Sequence, residues 1–530
     1  MSHDYQGPGR APMLASNAMC ATSHPFAALT AIDIIKQGGN AVDAAVAGAV
    51  VLGFCEPAMT GLGGDVFALI HDSKTGKNIG LNGSGRAPAA LNADFLRNQG
   101  CESVALNSVH SVTVPGAVNA FEHLVSGYGR LDLATVLAPA IAHAERGVPV
   151  HRRSAIDWET FGERLQASGR THFLKDGRPY REGEIFAAPA QAEALRLVAR
   201  GGADAFYTGP IMEDILATLR AAGGLHSAED FATTAATEVT PIRRGYRGHD
   251  LVELPPNGQG ATALMIAGIL ERFEIDRLDP NGAERVHLEA EATRLAYSAR
   301  NRYLGDPDHN ELQLDELLSE DTIDRLAASI DPRRAGTDME PRLEALHRDT
   351  VYITVVDDAG LCVSLIYSTF WPFGSGLASE RYGISLQNRG AGFSLQPGHV
   401  NELIGGRRPL HTLIPGLLER KGDYAMPFGV MGGPFQATGH AHLVSNLVDY
   451  GMDIQQAIES PRSFLNIATG VLEIERGFSD ATAAQLSEMG HKVSRAAIGM
   501  GGAQAIRRDA KTGLLTGGSD SRKDGVALGV

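Results

Sequence analysis

HRDTVYITVVDDAGLCVSLIYS, residues His347 to Ser368, decides how this chain is read. Residues 330–349 before its core are charged, broken by Pro and Gly, and carry no hydrophobic period. After Asp349 the pattern changes at once. Val351, Ile353, Val355 and Val356 make an apolar, β-branched run that stops at the turn DDAG, and Cys362 to Tyr367 resumes it, so the two runs predict a β-hairpin. Thr350 therefore stands where an irregular linker enters a core strand.

That position suits a chain that cuts itself. A Thr hydroxyl placed against its own preceding carbonyl can attack it, move the acyl group from nitrogen to oxygen, and release a new N-terminus when water hydrolyses the ester. The freed α-amine, with a reference pKa of about 7.7 to 8.0, is then a base on the nucleophile's own residue. The plainer reading, a β-former that opens a strand, stays open on this stretch alone.

Composition narrows the setting. With 530 residues the chain is long enough for about three domains or one large α/β unit. A net charge of -15, with no basic patch, argues against a nucleic-acid or anionic-membrane partner. The opening MSHDYQGPGRAP has no basic region followed by an apolar stretch, so a cytoplasmic protein is expected unless a signal has been removed. The apolar run from Ala41 to Cys55 contains Asp43 and reads as a buried helix rather than a membrane span. Cys20, Cys55, Cys101 and Cys362 have no metal-ligand spacing and read as reduced thiols.

Along the chain, Gly38 and Gly39 end one helix and Asn40 opens the next as an N-cap. MTGLGGDVFALIHD is a glycine turn entering a strand, Val66 to His71, and a phosphate cradle would instead precede a helix. Residues 111–330 read as mainly helical. Glu289 and Glu291, two apart on a long helix, do not share a face, and each is expected to be a solvated charge. Gly432 and Gly433 close a strand before a helix. Their successive N–H groups are free to stabilise an oxyanion, or they make only a tight turn. His440 and His442 fall on different helix faces, and no metal site or other cofactor is expected.

QGGNAVDAAVA, GLGGDVFALI, TVPGAV, DAFYTGP, HLEAEATRLAYSARNRYLGDP, DTVYITVVDDAG, FGSG, RRPLHTLIP, MGGPFQ and GGSDSRKDG occur in this order over roughly residues 13 to 525. In order and spacing the set resembles the gamma-glutamyltranspeptidase family. The resemblance implies an α+β fold of the N-terminal nucleophile hydrolase type, a four-layer αββα sandwich made as a precursor. Cleavage between Asp349 and Thr350 would give a large subunit, 1–349, and a small catalytic subunit, 350–530, entwined as one folded unit. Thr350 matches the family's nucleophile, Ser368 the hydroxyl that positions it, and Gly432 and Gly433 the oxyanion-hole glycines. An acyl-enzyme on Thr350 would pass its acyl group to water or to an amine.

The departures bear on substrate. Where gamma-glutamyl enzymes carry a carboxylate-binding Arg, this chain has NGSGRAP, with Ser84 at that position and Arg86 two residues along. QNRGAGF puts Arg389 and Gly392 where the family has a Gln and an ammonium-binding Asp. His411 and Thr412 replace a pair of serines, and Phe370 replaces an Asn. Loss of the acidic partner, with Arg389 added, disfavours an α-ammonium. Arg86, Arg389, His411 and Thr412 are thus expected to bind a small acidic amide, because Arg presents a planar fork matched to carboxylates, although Arg389 as a structural Arg buried against a backbone carbonyl stays open. These variants look similar to the branch that includes oxamate amidohydrolase, and glutaryl-type acylases are also relatives. Gamma-glutamyl chemistry on glutathione-like substrates and a non-catalytic binding relative are the alternatives, and a homodimer is left open.

Overall fold

Val351–Val356 and Leu361–Ser368 form the expected antiparallel hairpin, with Val351 opposite Tyr367 and Val356 opposite Cys362. The turn closes on the Asp357 side chain, which accepts from the Leu361 N–H at 2.9 Å and from the Ala41 N–H at 3.0 Å. In the computed structural model residues 9–337 and 350–530 are described. Asp349, on the far side of the expected cleavage bond, lies outside them.

The hairpin sits at the centre of a seven-stranded antiparallel sheet. Its order is Val526–Gly529, Met19–Thr22, Val351–Val356, Leu361–Ser368, Asp65–Asp72, Lys77–Gly83 and Thr237–Val239. Side chains alternate across a strand, so each strand supplies two cores. Val351, Ile353 and Val355 face a helical layer, whereas Tyr352 and Val356 face a second sheet. The Ala41–Cys55 helix belongs to that helical layer and is buried on all sides. It opens on the expected Asn40 cap, and at Gly48 it comes so close that a Cβ would meet Ile353 Cδ1 at 2.5 Å.

The second sheet is also seven-stranded and antiparallel: Met13–Ala15, Leu515–Ser519, Gly502–Asp509, Tyr424–Met431, Gly416–Arg420, His249–Glu253 and Ile242–Tyr246. Met426, Phe428 and Val430 point to its own helical layer, which includes Gly260–Leu270, Ala283–Tyr303 and Gln436–Val448. Ala425 and Met431 point back to the first sheet. Helices, sheet, sheet and helices are thus the four layers of the αββα sandwich. Among the described residues no helix is long and apolar enough to cross a membrane, and all four cysteines are free thiols.

Residues 111–330 are mainly helical, as expected, but Ile242–Tyr246 and His249–Glu253 form a hairpin at the edge of the second sheet that the sequence reading did not place. Its turn uses Arg247 and Gly248, both at positive φ, the geometry that suits a two-residue hairpin. Arg243, Arg244 and Asp250 give it the charged look that edge strands use against further pairing, which hides the β pattern. Glu289 and Glu291, expected as solvated charges, are instead buried, at 3% and 1% exposed. Glu289 accepts from His442 Nδ1 at 3.0 Å, and Arg294 donates to Glu291 through Nε and Nη2. Both faces of this helix meet protein, so each carboxylate finds its partner only through tertiary packing.

The sheets approach closely where the hairpin faces Tyr424–Met431. A Cβ on Gly429 would lie 2.3 Å from the Tyr352 ring. Tyr352 OH and Ser364 Oγ are 2.7 Å apart, and Ser364 Oγ donates to the Phe428 carbonyl at 3.0 Å across the gap. Gly429→Ala is expected to cost about 1–3 kcal/mol by overpacking, read as a lower urea midpoint. Gly127→Ala, on an exposed helix position with no atom within 4 Å of the new Cβ, should be neutral or stabilising by up to about 1 kcal/mol.

Candidate active site

Continued by one residue, the hairpin register brings Thr350 opposite Ser368. Both are fully buried. Ser368 ends its strand, and its Oγ accepts from the Phe370 N–H at 2.9 Å, which leaves the hydroxyl proton available to a neighbour. Gly64 underlies the same point: a Cβ there would lie 2.5 Å from the Ser368 carbonyl oxygen. The glycine turn of GLGGD therefore serves close backbone approach.

Tyr424–Met431 runs beside this hairpin and ends in Gly432 and Gly433, with φ of 127° and 55°. Side chains rarely adopt these values, and glycine does so freely. The chain turns there into Gln436–Val448, with Tyr297 OH donating to the Pro434 carbonyl. Among the described residues neither glycine N–H donates to an acceptor, so both remain free for a developing negative charge.

Between these two points lies Arg389. It is 1% exposed, and Nη1 donates to Thr412 Oγ1 at 2.8 Å. Its guanidinium carbon stands 4.4 Å from the centre of the Phe370 ring. Nε and Nη2 are buried without a partner, and burial draws the group down to about 9. Phe370 itself is held at φ 79°, a strained value for an aromatic residue. The Thr412 carbonyl accepts from Gln259 Nε2 at 2.9 Å, and the same nitrogen lies 3.3 Å from the Gly433 carbonyl. Ser368, Phe370, Arg389, Thr412, Gln259 and Gly433 thus form a connected chain from one strand end to the other.

Arg86 and His411 are placed differently from Arg389. Arg86 is about one third exposed and engaged with protein: Nη2 donates to Asp308 at 2.6 Å, Nη1 to the Gly406 carbonyl at 3.0 Å, and Asp306 is 3.5 Å away. His411 is fully buried and committed at both ring nitrogens. Nδ1 accepts from the Leu413 N–H at 3.2 Å, so Nε2 carries the proton and donates to Asp65 Oδ2 at 3.0 Å. Burial, with Arg389 nearby, lowers His411 to about 4, so it is neutral and positions Asp65.

Asp65 was not singled out in the sequence, yet much of the site is arranged on it. Its Oδ1 accepts from Gly85 N–H at 3.0 Å, Gly116 N–H at 3.1 Å and Gln387 Nε2 at 2.8 Å. A Cβ at Gly85 would fall 1.6 Å from the Val114 carbonyl oxygen, and one at Gly116 would fall 2.1 Å from that of Gly83. The two glycines let the loops NGSGRAP and TVPG close on one carboxylate. An acid directly after a double glycine and before an apolar strand was the available signal, but its partners are 20 to 346 positions away.

The geometry agrees with comparisons across known proteins. The family model described as Gamma-glutamyltranspeptidase matches residues 27–530. The glutathione hydrolase-like YwrD proenzyme of Bacillus subtilis is 34% identical over 98% of this chain and 99% of its own length. The oxamate amidohydrolase proenzyme of Klebsiella pneumoniae is also 34% identical, over 97% and 99%. The crystal structure of cephalosporin acylase from Bacillus halodurans superposes with a TM-score of 0.92 at 36% identity, covering 100% of this chain and 99% of that one. With this sandwich, this strand end and these relatives together, the chain belongs to the gamma-glutamyltranspeptidase family and is a hydrolase of the N-terminal nucleophile type.

Proposed function

We propose that this protein is a precursor that cleaves itself between Asp349 and Thr350, and that Thr350 then hydrolyses a small amide whose acyl part carries a carboxylate. The observation that carries the reading is the strand-end geometry, in which Thr350 continues the hairpin register opposite Ser368, on a hairpin packed against the strand that ends in two glycines whose N–H groups have no acceptor among the described residues. Cleavage would leave residues 1–349 and 350–530 as two chains of one folded unit. The Thr350 α-amine takes the hydroxyl proton as Oγ1 attacks the amide carbon. The amine leaves with that proton, and Gly432 and Gly433 N–H groups hold the oxyanion. Water, or an amine acceptor, then takes the acyl group from the ester. Ser368 orients the attacking oxygen.

The substrate reading rests on Arg389. A buried cation without a carboxylate partner is costly, and an incoming acyl carboxylate satisfies the open Nε and Nη2 as a bidentate pair. Thr412 fixes the other edge of the guanidinium and the Phe370 ring covers its face. Arg86 supports the loop at the rim, and His411 holds Asp65. An α-ammonium would meet Arg389 and, at Gly392, no carboxylate. This favours a dicarboxylic monoamide of the oxamate or glutaryl type over a gamma-glutamyl amide, which remains the second reading because of the glutathione hydrolase-like relative.

Intact mass and N-terminal sequencing should give two chains for the wild type, the smaller beginning at Thr350, and one uncut chain for Thr350→Ala. A wild type that stays whole and inactive removes the enzymatic reading and leaves a binding relative. In initial-rate assays of the processed enzyme, oxamate or a glutaryl amide should be turned over faster than a gamma-glutamyl anilide. Arg389→Gln should lower kcat/KM for the acidic amide by roughly 10- to 150-fold, the worth of a charged hydrogen bond of about 1.5–3 kcal/mol. Preference for the anilide, with Arg389→Gln indifferent, would return the substrate to the gamma-glutamyl class.

A further inference from the structure

Away from the strand ends, the long Ala283–Tyr303 helix carries His287 and Glu291 one turn apart on one face, and His491 comes up against them from the far end of the chain. All three are buried, and one potential ligand atom from each lies within 4.8 Å of the others. His287 Nε2 is 2.8 Å from the Asp331 carbonyl, and a carbonyl only accepts, so the proton of this ring is on Nε2. In the neutral ring His287 Nδ1 is then a bare lone pair, directed at His491 Nε2 at 2.8 Å. Glu291 already accepts from Arg294 Nε and Nη2 and from the Gly336 N–H at 3.1 Å, which leaves a carboxylate, with about four acceptor sites, room for one more partner.

We propose that His287 Nδ1, His491 Nε2 and a Glu291 oxygen bind one divalent transition cation of the zinc type. Two imidazoles and a carboxylate are a donor set for zinc, with the fourth position left to water. Bonds of about 2.0–2.1 Å put tetrahedral ligand atoms roughly 3.3 Å apart. The present spacings, 2.8 Å between the imidazoles and at most 4.8 Å overall, straddle that value. A ligating histidine ordinarily donates its other N–H to a carbonyl or carboxylate, the part the Asp331 carbonyl plays for His287. On binding, the proton shared between the rings moves to His491 Nδ1, and no proton need leave the protein.

The site joins distant parts of the sequence. His287 and Glu291 precede Thr350 and His491 follows it, while Asp331 and Gly336, bonded to the same side chains, belong to the segment leading towards Thr350. The ion is a structural staple between the two halves. If the cleavage proposed above occurs, it links two chains, but its binding does not depend on that cut.

Chelator-treated wild type, titrated calorimetrically with Zn2+, should take up one equivalent, and Co2+ in its place should give visible absorption of tetrahedral type. His491→Ala should weaken Zn2+ binding by about 100-fold or more, at least what loss of an outer-shell partner costs, while amidase activity without metal is unchanged. Should that variant fold poorly, a wild-type crystal soaked in Zn2+ decides, since an anomalous peak must stand among the three side chains. Absence of saturable binding, a His491→Ala variant that binds as tightly as wild type, or a soaked crystal without that peak overturns the proposal.

Discussion

The missing side chain at Gly429 is the constraint on which the centre of this molecule depends. It lets Tyr424–Met431 lie against the Tyr352 ring, and the hydrogen bonds through Ser364 then fix the two sheets in one relative position. Tyr352 is two residues from Thr350 and Gly429 three residues from Gly432. A shift at that contact displaces the strand that carries the expected nucleophile relative to the strand that ends in the two glycines. Alignment of the proposed catalytic groups would therefore be a property of sheet-to-sheet packing, where side chains interdigitate at near-crystalline density and tolerate little displacement.

A second theme is how charge is distributed around the site. Asp65 is buried, and three N–H groups and His411 share its charge, so its hydrogen bonds are committed to structure and its charge acts on Arg389 only through space. His411 contributes no positive charge, because burial keeps its ring neutral. Arg86 and Arg408, at the rim, face Asp306 and Asp308. What is left at the centre is one buried guanidinium with open donors, stacked on Phe370, steadied by Thr412 and only partly offset by the charge of Asp65. Desolvation makes such a group costly to bury, which is the physical basis of the proposed preference for an anionic acyl group.

Much of this fold is legible in short stretches of the chain. The period-two run after Thr350, the DDAG turn, the Asn40 cap and the buried helix behind it follow from local rules of alternation, turn chemistry and capping, and those rules act over a few residues. The ordered motifs placed the chain in its family, and with it the αββα sandwich. The charged edge hairpin at 242–253 escaped because its polarity resembles a helix surface. Glu289 and Glu291 were misjudged as solvated because burial of a helix on every face depends on what packs over it.

Only the tertiary structure decided which of the candidate polar groups are free. Arg86, Arg389 and His411 look alike as residue types on short motifs, yet Arg86 is ion-paired, His411 is engaged at both nitrogens, and Arg389 alone of the three has open, buried donors. Asp65 acquired its role from loops far along the chain, and the His287, Glu291 and His491 cluster unites positions more than two hundred residues apart. The physical reason is common to all of these. A hydrogen bond or ion pair is made by whatever donor and acceptor the fold brings within about 3 Å, and sequence spacing carries that information only inside a single helix, strand or turn.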